Sequence, residues 1–265
     1  MTHGSPQSAW QHKEIQASAV AAEPSGAVLC LAGKRCAALI RPGEPGRYVA
    51  RVSRSSKWDV STVAWRYPAA GGSSSERLLS ADSTPTGATA ASTSSDVVAF
   101  SSGQTVELYH VGESSLVLER TLKAHPRNLT DLDWSRHRRE LFATSSVDDA
   151  LHLWDYRHLR KPSLSLQTVA GASQAKWCRC MENIIAACQE RDVKVFDIRK
   201  PNSPLQYMSC HVERIHSLAW SPVDGFCFAT SSQDSTVKLW EFNNPSGPKL
   251  QTTVPYSPAW KVKFS

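Results

Sequence analysis

Tryptophans at positions 134, 177 and 220 stand 43 residues apart (177−134 and 220−177), and each closes a short, mostly apolar run. A second aromatic series, Trp154, Phe196 and Trp240, keeps the same clock with steps of 42 and 44 residues, and each member is followed by an acid. His125 and His211 lie two periods apart (211−125=86). Self-similarity at about 40 to 45 residues is the period of a four-stranded propeller blade, a unit that cannot bury its apolar faces alone and must stack on neighbours.

The two clearest units read alike. His125, Leu132-Asp133-Trp134, Leu141 to Thr144, Asp148 and Leu151 to Asp155 correspond to His211, Leu218-Ala219-Trp220, Phe228 to Thr230, Asp234 and Val237 to Glu241. The three short runs in each unit are alternating or continuously apolar. Turn-prone clusters such as Ser221-Pro222-Val223-Asp224-Gly225 separate them, so they read as strands. A weaker fourth strand follows at Leu164 to Gln167 and at Leu250 to Thr253.

These features resemble the WD-repeat family. The resemblance implies an all-β propeller of four-stranded antiparallel blades. It also implies a hydrogen-bonded tetrad in each well-formed blade: His125, Thr144, Asp148 and Trp154 in one, His211, Thr230, Asp234 and Trp240 in the other. A buried indole N–H, imidazole and carboxylate are each costly unless partnered, and one network satisfies them together. The tetrads are therefore expected to be structural, not catalytic. The unit between them departs from the pattern. Thr168 replaces the histidine, Glu190 the turn aspartate and Phe196 the tryptophan, so this blade is expected to rest on apolar packing of Trp177, Ile184, Ile185 and Val193 to Phe196.

Upstream, Trp58 to Val60, Val63-Ala64-Trp65, Val97 to Phe100 and Val106 to Tyr109 read as an earlier blade. Trp65 to Tyr109 spans 44 residues against 20 for Trp134 to Trp154. The surplus falls in 68–95, rich in Ser, Ala, Gly and Thr, which is expected to be a flexible insertion. Val28 to Ala32 and Cys36 to Ile40, joined by Gly33-Lys34-Arg35, read as a hairpin of a first blade. Residues 1–13 are expected to be a disordered tail and 14–265 the propeller. Trp260 to Phe264 reads as the inner strand of a further blade, since Phe264 lies 44 residues after Trp220. The expectation is an incomplete ring of about five blades plus the start of a sixth, with Gln11 to Ile15 a weak candidate for a closing strand.

Composition narrows the function. No apolar run reaches the roughly 18 residues of a membrane helix, so no direct membrane insertion is expected, and the N-terminus lacks the apolar core of a signal peptide. Seven cysteines, several in or beside apolar strands, suit a reducing compartment. Cys178-Arg179-Cys180 has too short a spacer for structural zinc and no second ligand pair, and neither metal nor cofactor is expected. The net charge of +6 and the cluster Arg136-His137-Arg138-Arg139 invite a nucleic-acid reading. Without interleaved aromatics a four-residue patch is ordinarily a solvated loop, so no nucleic-acid partner is expected. Phosphate-cradling loops, nucleophile elbows and zinc-helix motifs are absent from the sequence, and the reading is of a protein that is not an enzyme.

Several stretches resemble the propeller of the WD repeat-containing protein 59 family: Ser53 to Asp59, Thr130 to Trp134, Ala143 to Asp148, Val169 to Trp177, Ile198 to Pro201 and Ala229 to Asp234. Val169 to Trp177 is the most specific, because it lies in the degenerate unit. The resemblance implies a scaffold subunit of the second GATOR subcomplex, promoting amino-acid signalling to the target-of-rapamycin kinase complex. Its partners would be the other subunits of that complex. It would be a cytoplasmic protein that could be recruited to the lysosomal (vacuolar) membrane, with an RWD-type domain and a zinc-binding RING-like region after the propeller. A competing function comes from Trp154-Asp155-Tyr156-Arg157 and Phe196-Asp197-Ile198-Arg199, which approximate the Trp-Asp-x-Arg pattern of substrate receptors for cullin–RING ubiquitin ligases. On that reading Arg157 and Arg199 contact a cullin adaptor. On the plainer one they anchor inter-blade turns.

Overall fold

The structure, a computed structural model, describes residues 15–42, 47–68, 96–244, 246–254 and 256–264. Twenty strands and no helix are found among the described residues, grouped as five four-stranded sheets. Blade one is β1 (Ala19–Ala22), β2 (Leu29–Ala32), β3 (Cys36–Ile40) and β4 (Tyr48–Ser53). Blade two is β5 (Val60–Trp65), β6 (Asp96–Ser102), β7 (Thr105–Val111) and β8 (Leu116–Lys123). Blade three is β9 (Leu129–Trp134), β10 (Leu141–Ser146), β11 (Ala150–Asp155) and β12 (Leu164–Gln167). Blade four is β13 (Gln174–Trp177), β14 (Ile184–Gln189), β15 (Asp192–Asp197) and β16 (Gln206–Ser209). Blade five is β17 (Ile215–Trp220), β18 (Cys227–Ser232), β19 (Thr236–Glu241) and β20 (Leu250–Thr253). Every sheet is an antiparallel meander in chain order. The inner strands β1, β5, β9, β13 and β17 pack on one another in succession.

The burial pattern follows from this layering. Strands β14 and β18 are buried at every position because both faces lie against other protein, and they read as continuous apolar and small-residue runs. Outer strands such as β20 are exposed throughout, which explains their weak sequence signal. Four apolar clusters fill the spaces between adjacent blades, one for each of the four blade pairs. Trp65, Trp134, Trp177 and Trp220 fall one to each cluster in chain order. The 43-residue clock is therefore the spacing of inter-blade anchors. Burying an indole of roughly 200 Å² stabilises by up to about 5 kcal/mol, so each interface depends heavily on its tryptophan. Trp65 and Trp220 also donate from Nε1 to the inner strand of the preceding blade, at Ala21 O (3.1 Å) and Lys176 O (2.9 Å).

One expected inner strand is absent. Val262 to Phe264 makes no strand pairing, although the crossover leading to it is in place. Ala259 N–H donates to Ser232 O at 3.0 Å, as Ala172 N–H donates to Ser146 O at 3.0 Å where the chain enters blade four. Trp260 then stacks on His216, with ring centroids 4.4 Å apart. A strand exists only through a ladder, and no described segment pairs with 262–264. The described chain thus has five complete blades. The expected insertion at 68–95, beyond Pro68, and the expected tail at 1–13 lie outside the described residues, as do Gln11 to Glu14. Ile15 is buried but not in a strand.

Candidate interaction scaffold and its polar ties

Blades three and five each hold one complete hydrogen-bonded chain. In blade five the Trp240 indole donates to Thr230 Oγ1 at 2.8 Å, Thr230 Oγ1 meets His211 Nε2 at 2.7 Å, and His211 Nδ1 meets Asp234 Oδ2 at 2.9 Å. An indole can only donate, and a neutral imidazole that gives its Nδ1–H to aspartate accepts at Nε2. The threonine hydrogen therefore points to the ring and the chain runs in one direction. Burial holds the His211 imidazole below its usual range, with Asp234 opposing in part. Burial alone would raise the Asp234 carboxyl, but hydrogen bonds from Thr236 and His211 prevail and bring it to about 2. In blade three the corresponding distances are 2.9 Å (Trp154 to Thr144), 2.8 Å (Thr144 to His125) and 2.8 Å (His125 to Asp148). The following serines are used as well. Ser146 Oγ donates to Asn128 O and Ser232 Oγ to Glu213 O, tying strand to entry loop.

Blade four has no such chain among the described residues. Thr168 is buried, but its Oγ1 has no hydrogen-bond partner. Ala187 stands where Thr144 stands in blade three, and two residues, Glu190 and Arg191, link β14 to β15 where three (147–149) link β10 to β11. Glu190 therefore does not take the place of the turn aspartate, because the turn is one residue shorter. The entry loop carries the compensation. Gly171, at φ +57°, lies where a Cβ would come within 3.1 Å of Val147 Cα, so a side chain there would be strained by the backbone and crowded by Val147. Gln174 Oε1 accepts the Leu218 N–H of the next blade at 2.8 Å.

Blade two solves the same problem with different chemistry. The Arg54 guanidinium donates from Nε to Glu107 Oε2 (2.9 Å), from Nη2 to Glu107 Oε1 (2.8 Å) and from Nη1 to Gly33 O, while Tyr109 OH donates to Glu107 Oε2 at 2.9 Å. Phe100 lies opposite Glu107 as Thr144 lies opposite His152, so Tyr109 occupies the register of Trp154. Nearby Gly103, at φ +58°, is covered by the Trp58 ring, which a Cβ would strike.

Two acids of β9 bind the inner strand of blade four. Asp131 accepts Lys176 Nζ (2.7 Å) and the Ala175 N–H (3.2 Å), and Asp133 accepts the Trp177 N–H (2.9 Å). Burial opposes charge on Lys176, yet Asp131 and Asp133 hold its ammonium above the usual range. Burial pushes Asp133 up to about 6, with Lys176 pulling it down in part. An unfolded aspartate titrates near pH 4, at about 3.9, so the folded chain binds the extra proton between about 4 and 6 and stability falls as pH rises through that window. Asp133→Asn keeps a carbonyl acceptor for Trp177. It is expected to add about 1–2 kcal/mol at pH 7.5 and almost nothing at pH 4 in urea titrations. A loss of stability at pH 7.5 would contradict this.

The remaining candidate residues are held locally. Arg157 and Arg199 each form a bidentate pair with the aspartate two residues earlier: Arg157 at 3.0 and 2.7 Å to Asp155, Arg199 at 3.0 and 2.7 Å to Asp197. Both side chains remain well exposed, and the pairing is that of a turn anchor. The side-chain hydrogen bond from the arginine holds each aspartate below its usual range. In the basic cluster Arg138 meets Glu182 and Asn183, and His137 Nε2 donates to Arg179 O at 3.1 Å, so part of that charge joins blade three to blade four. Cys178 is buried and Cys180 exposed. Among the described residues no three His, Cys, Asp or Glu side chains gather as metal ligands, and no helix is long and apolar enough to cross a membrane.

Blades anchored by tryptophans at a 43-residue repeat, two of them closed by Trp–Thr–His–Asp chains, define a WD-repeat β-propeller. The WD domain, G-beta repeat family matches residues 116–155 and 202–241. Each match spans the outer strand of one blade and three strands of the next, and encloses one tetrad. The chain is related in sequence to the WD repeat-containing protein 59 family. It is 32% identical over 256 residues to the human GATOR2 complex protein WDR59, covering 96% of this chain and 24% of that protein. It is 31% identical over 259 residues to GATOR2 complex protein Wdr59 of Drosophila melanogaster, covering 97% and 24%. The chain therefore spans about a quarter of the length of the curated relatives it matches. A chain in a crystal structure of the mitotic checkpoint complex has the same fold, with a TM-score of 0.73 at 13% identity, covering 96% of this chain and 71% of that one.

Proposed function

We propose that this propeller is a non-enzymatic docking scaffold, the propeller portion of a GATOR-type complex subunit that promotes amino-acid signalling to the target-of-rapamycin kinase complex. The observation that carries the reading is the similarity to WDR59 along 96% of the chain, through the degenerate blade as well as the regular ones. The polar chemistry agrees with it. His125 and His211 spend both ring nitrogens inside the tetrads, leaving neither free for proton transfer or metal. Its partners are the other subunits of that complex, and its place is the cytoplasm with recruitment to the lysosomal (vacuolar) membrane. The cullin-adaptor reading has no observation in its favour, since Arg157 and Arg199 are clasped by their own aspartates. The test is affinity purification of the full-length protein from its own cells with mass spectrometry. The other GATOR subunits are expected in stoichiometric yield, and their absence, or recovery of a cullin adaptor instead, overturns the assignment.

A further inference from the structure

We propose that the groove between the outer strand of blade two and the β11–β12 turn of blade three docks an acidic, phosphorylated segment of a partner protein. The groove is lined by Arg120 on β8 and by Arg157, His158, Leu159, Arg160 and Lys161, and its volume is about 650 Å³. Four permanent cations and an imidazole face this space with no acid among the lining residues. The acids nearest in sequence are engaged behind it. Glu119 accepts the Tyr156 hydroxyl and stays 3.8 Å from Arg120 Nε, while Asp155 grips Arg157. A register shift in the β7–β8 ladder leaves Glu119 as the extra residue between Leu118, opposite Tyr109, and Arg120, opposite Leu108. Such a bulge re-aims side chains, and Glu119 is here shared between the Tyr156 hydroxyl and Arg120.

Like charges gathered in a concavity repel one another unless an anion enters, and planar guanidinium forks match the oxygens of a phosphate dianion. Arg157 is held by Asp155 and Arg120 by Glu119, whereas Arg160 and Lys161 are exposed with no ion pair among the described residues, open to such a ligand. The shape selects among anions. The one ring among the lining residues is the His158 imidazole, so the groove lacks the succession of aromatic platforms on which a run of unpaired bases stacks. A concave slot between two blades suits a side chain better than a flat lipid surface does. The inference is independent of the GATOR assignment.

The test is fluorescence anisotropy of the full chain with a labelled decapeptide of Asp, Glu and Leu carrying one phosphoserine. The phosphopeptide is expected to bind about tenfold more tightly than its serine form, and to weaken steeply between 50 and 200 mM salt, as charge-driven binding does. Arg160→Glu with Lys161→Glu is expected to lose at least about tenfold of that affinity, as is the milder Arg160→Ala with Lys161→Ala, while Arg136→Glu in the other basic cluster leaves it unchanged. Melting curves matching the parent chain establish that the variants fold. Binding unaffected by either pair overturns the proposal. So does a dodecameric RNA or a phosphatidylserine vesicle that binds more tightly than the phosphopeptide and is lost with the same pairs.

Discussion

Arg54→Ala is expected to destabilise the chain by about 3–5 kcal/mol in urea unfolding, the penalty for leaving one member of a buried ion pair without its partner. The Arg54 side chain is 1% exposed and Glu107 14%. Burial opposes the charge on Arg54, but the hydrogen bonds and field of Glu107 outweigh it and keep the guanidinium's pKa above its usual value. Removing it strands a carboxylate that also accepts from Tyr109, frees the Gly33 carbonyl and takes a cation from over the Phe100 ring. The cost should collapse when both charges go. Arg54→Met with Glu107→Gln is expected to lose less than half as much, because apolar or neutral replacement of a whole buried pair is often close to neutral. Equal losses for single and double variants would mean that packing, not charge, holds blade two.

The blade-two network also marks where sequence reading stopped. The period, the inner strands β5, β9, β13 and β17 and the two regular tetrads were legible because indoles and imidazoles recur at fixed offsets. Tyr109 occupies the register of Trp154, but Phe100 stands where the tetrad has its threonine and Glu107 where blade three has His152, so the network shares no residue type with the tetrad and only the strand register relates the two. Strand β1, an Ala19–Ala22 segment with one valine, has too little apolar bulk to be read, and the outer strands are too exposed. The shortened turn of blade four misled in the other direction, since Glu190 is an acid near the right position in sequence and the wrong one in space. Val262 to Phe264 alternates like a strand. Alternation reports which face can be buried, while the ladder depends on a neighbour that no local pattern specifies.

The same chemical change at two threonines is expected to give opposite signs. Thr230→Val preserves shape but removes the oxygen that pairs with both Trp240 Nε1 and His211 Nε2. Two buried ring nitrogens are left without partners at roughly 1–3 kcal/mol each, a loss of about 2–5 kcal/mol. Thr168 follows β12 directly, as Ala124 follows β8 and Cys210 follows β16, one residue short of the histidine register; it is 2% exposed, and its Oγ1 meets no partner among the described residues. Thr168→Val deletes a desolvated hydroxyl that earns no hydrogen bond, so it is expected to be neutral or to stabilise by up to about 1 kcal/mol. Thermal and urea unfolding of the two variants side by side measures the difference. If Thr168→Val destabilises as much as Thr230→Val, that hydroxyl must be paired in solution, and blade four would then hold a polar network of its own. If Thr230→Val proves harmless, the Trp–Thr–His–Asp chain contributes nothing beyond its packing, and inter-blade tryptophans alone would account for the cohesion of the propeller.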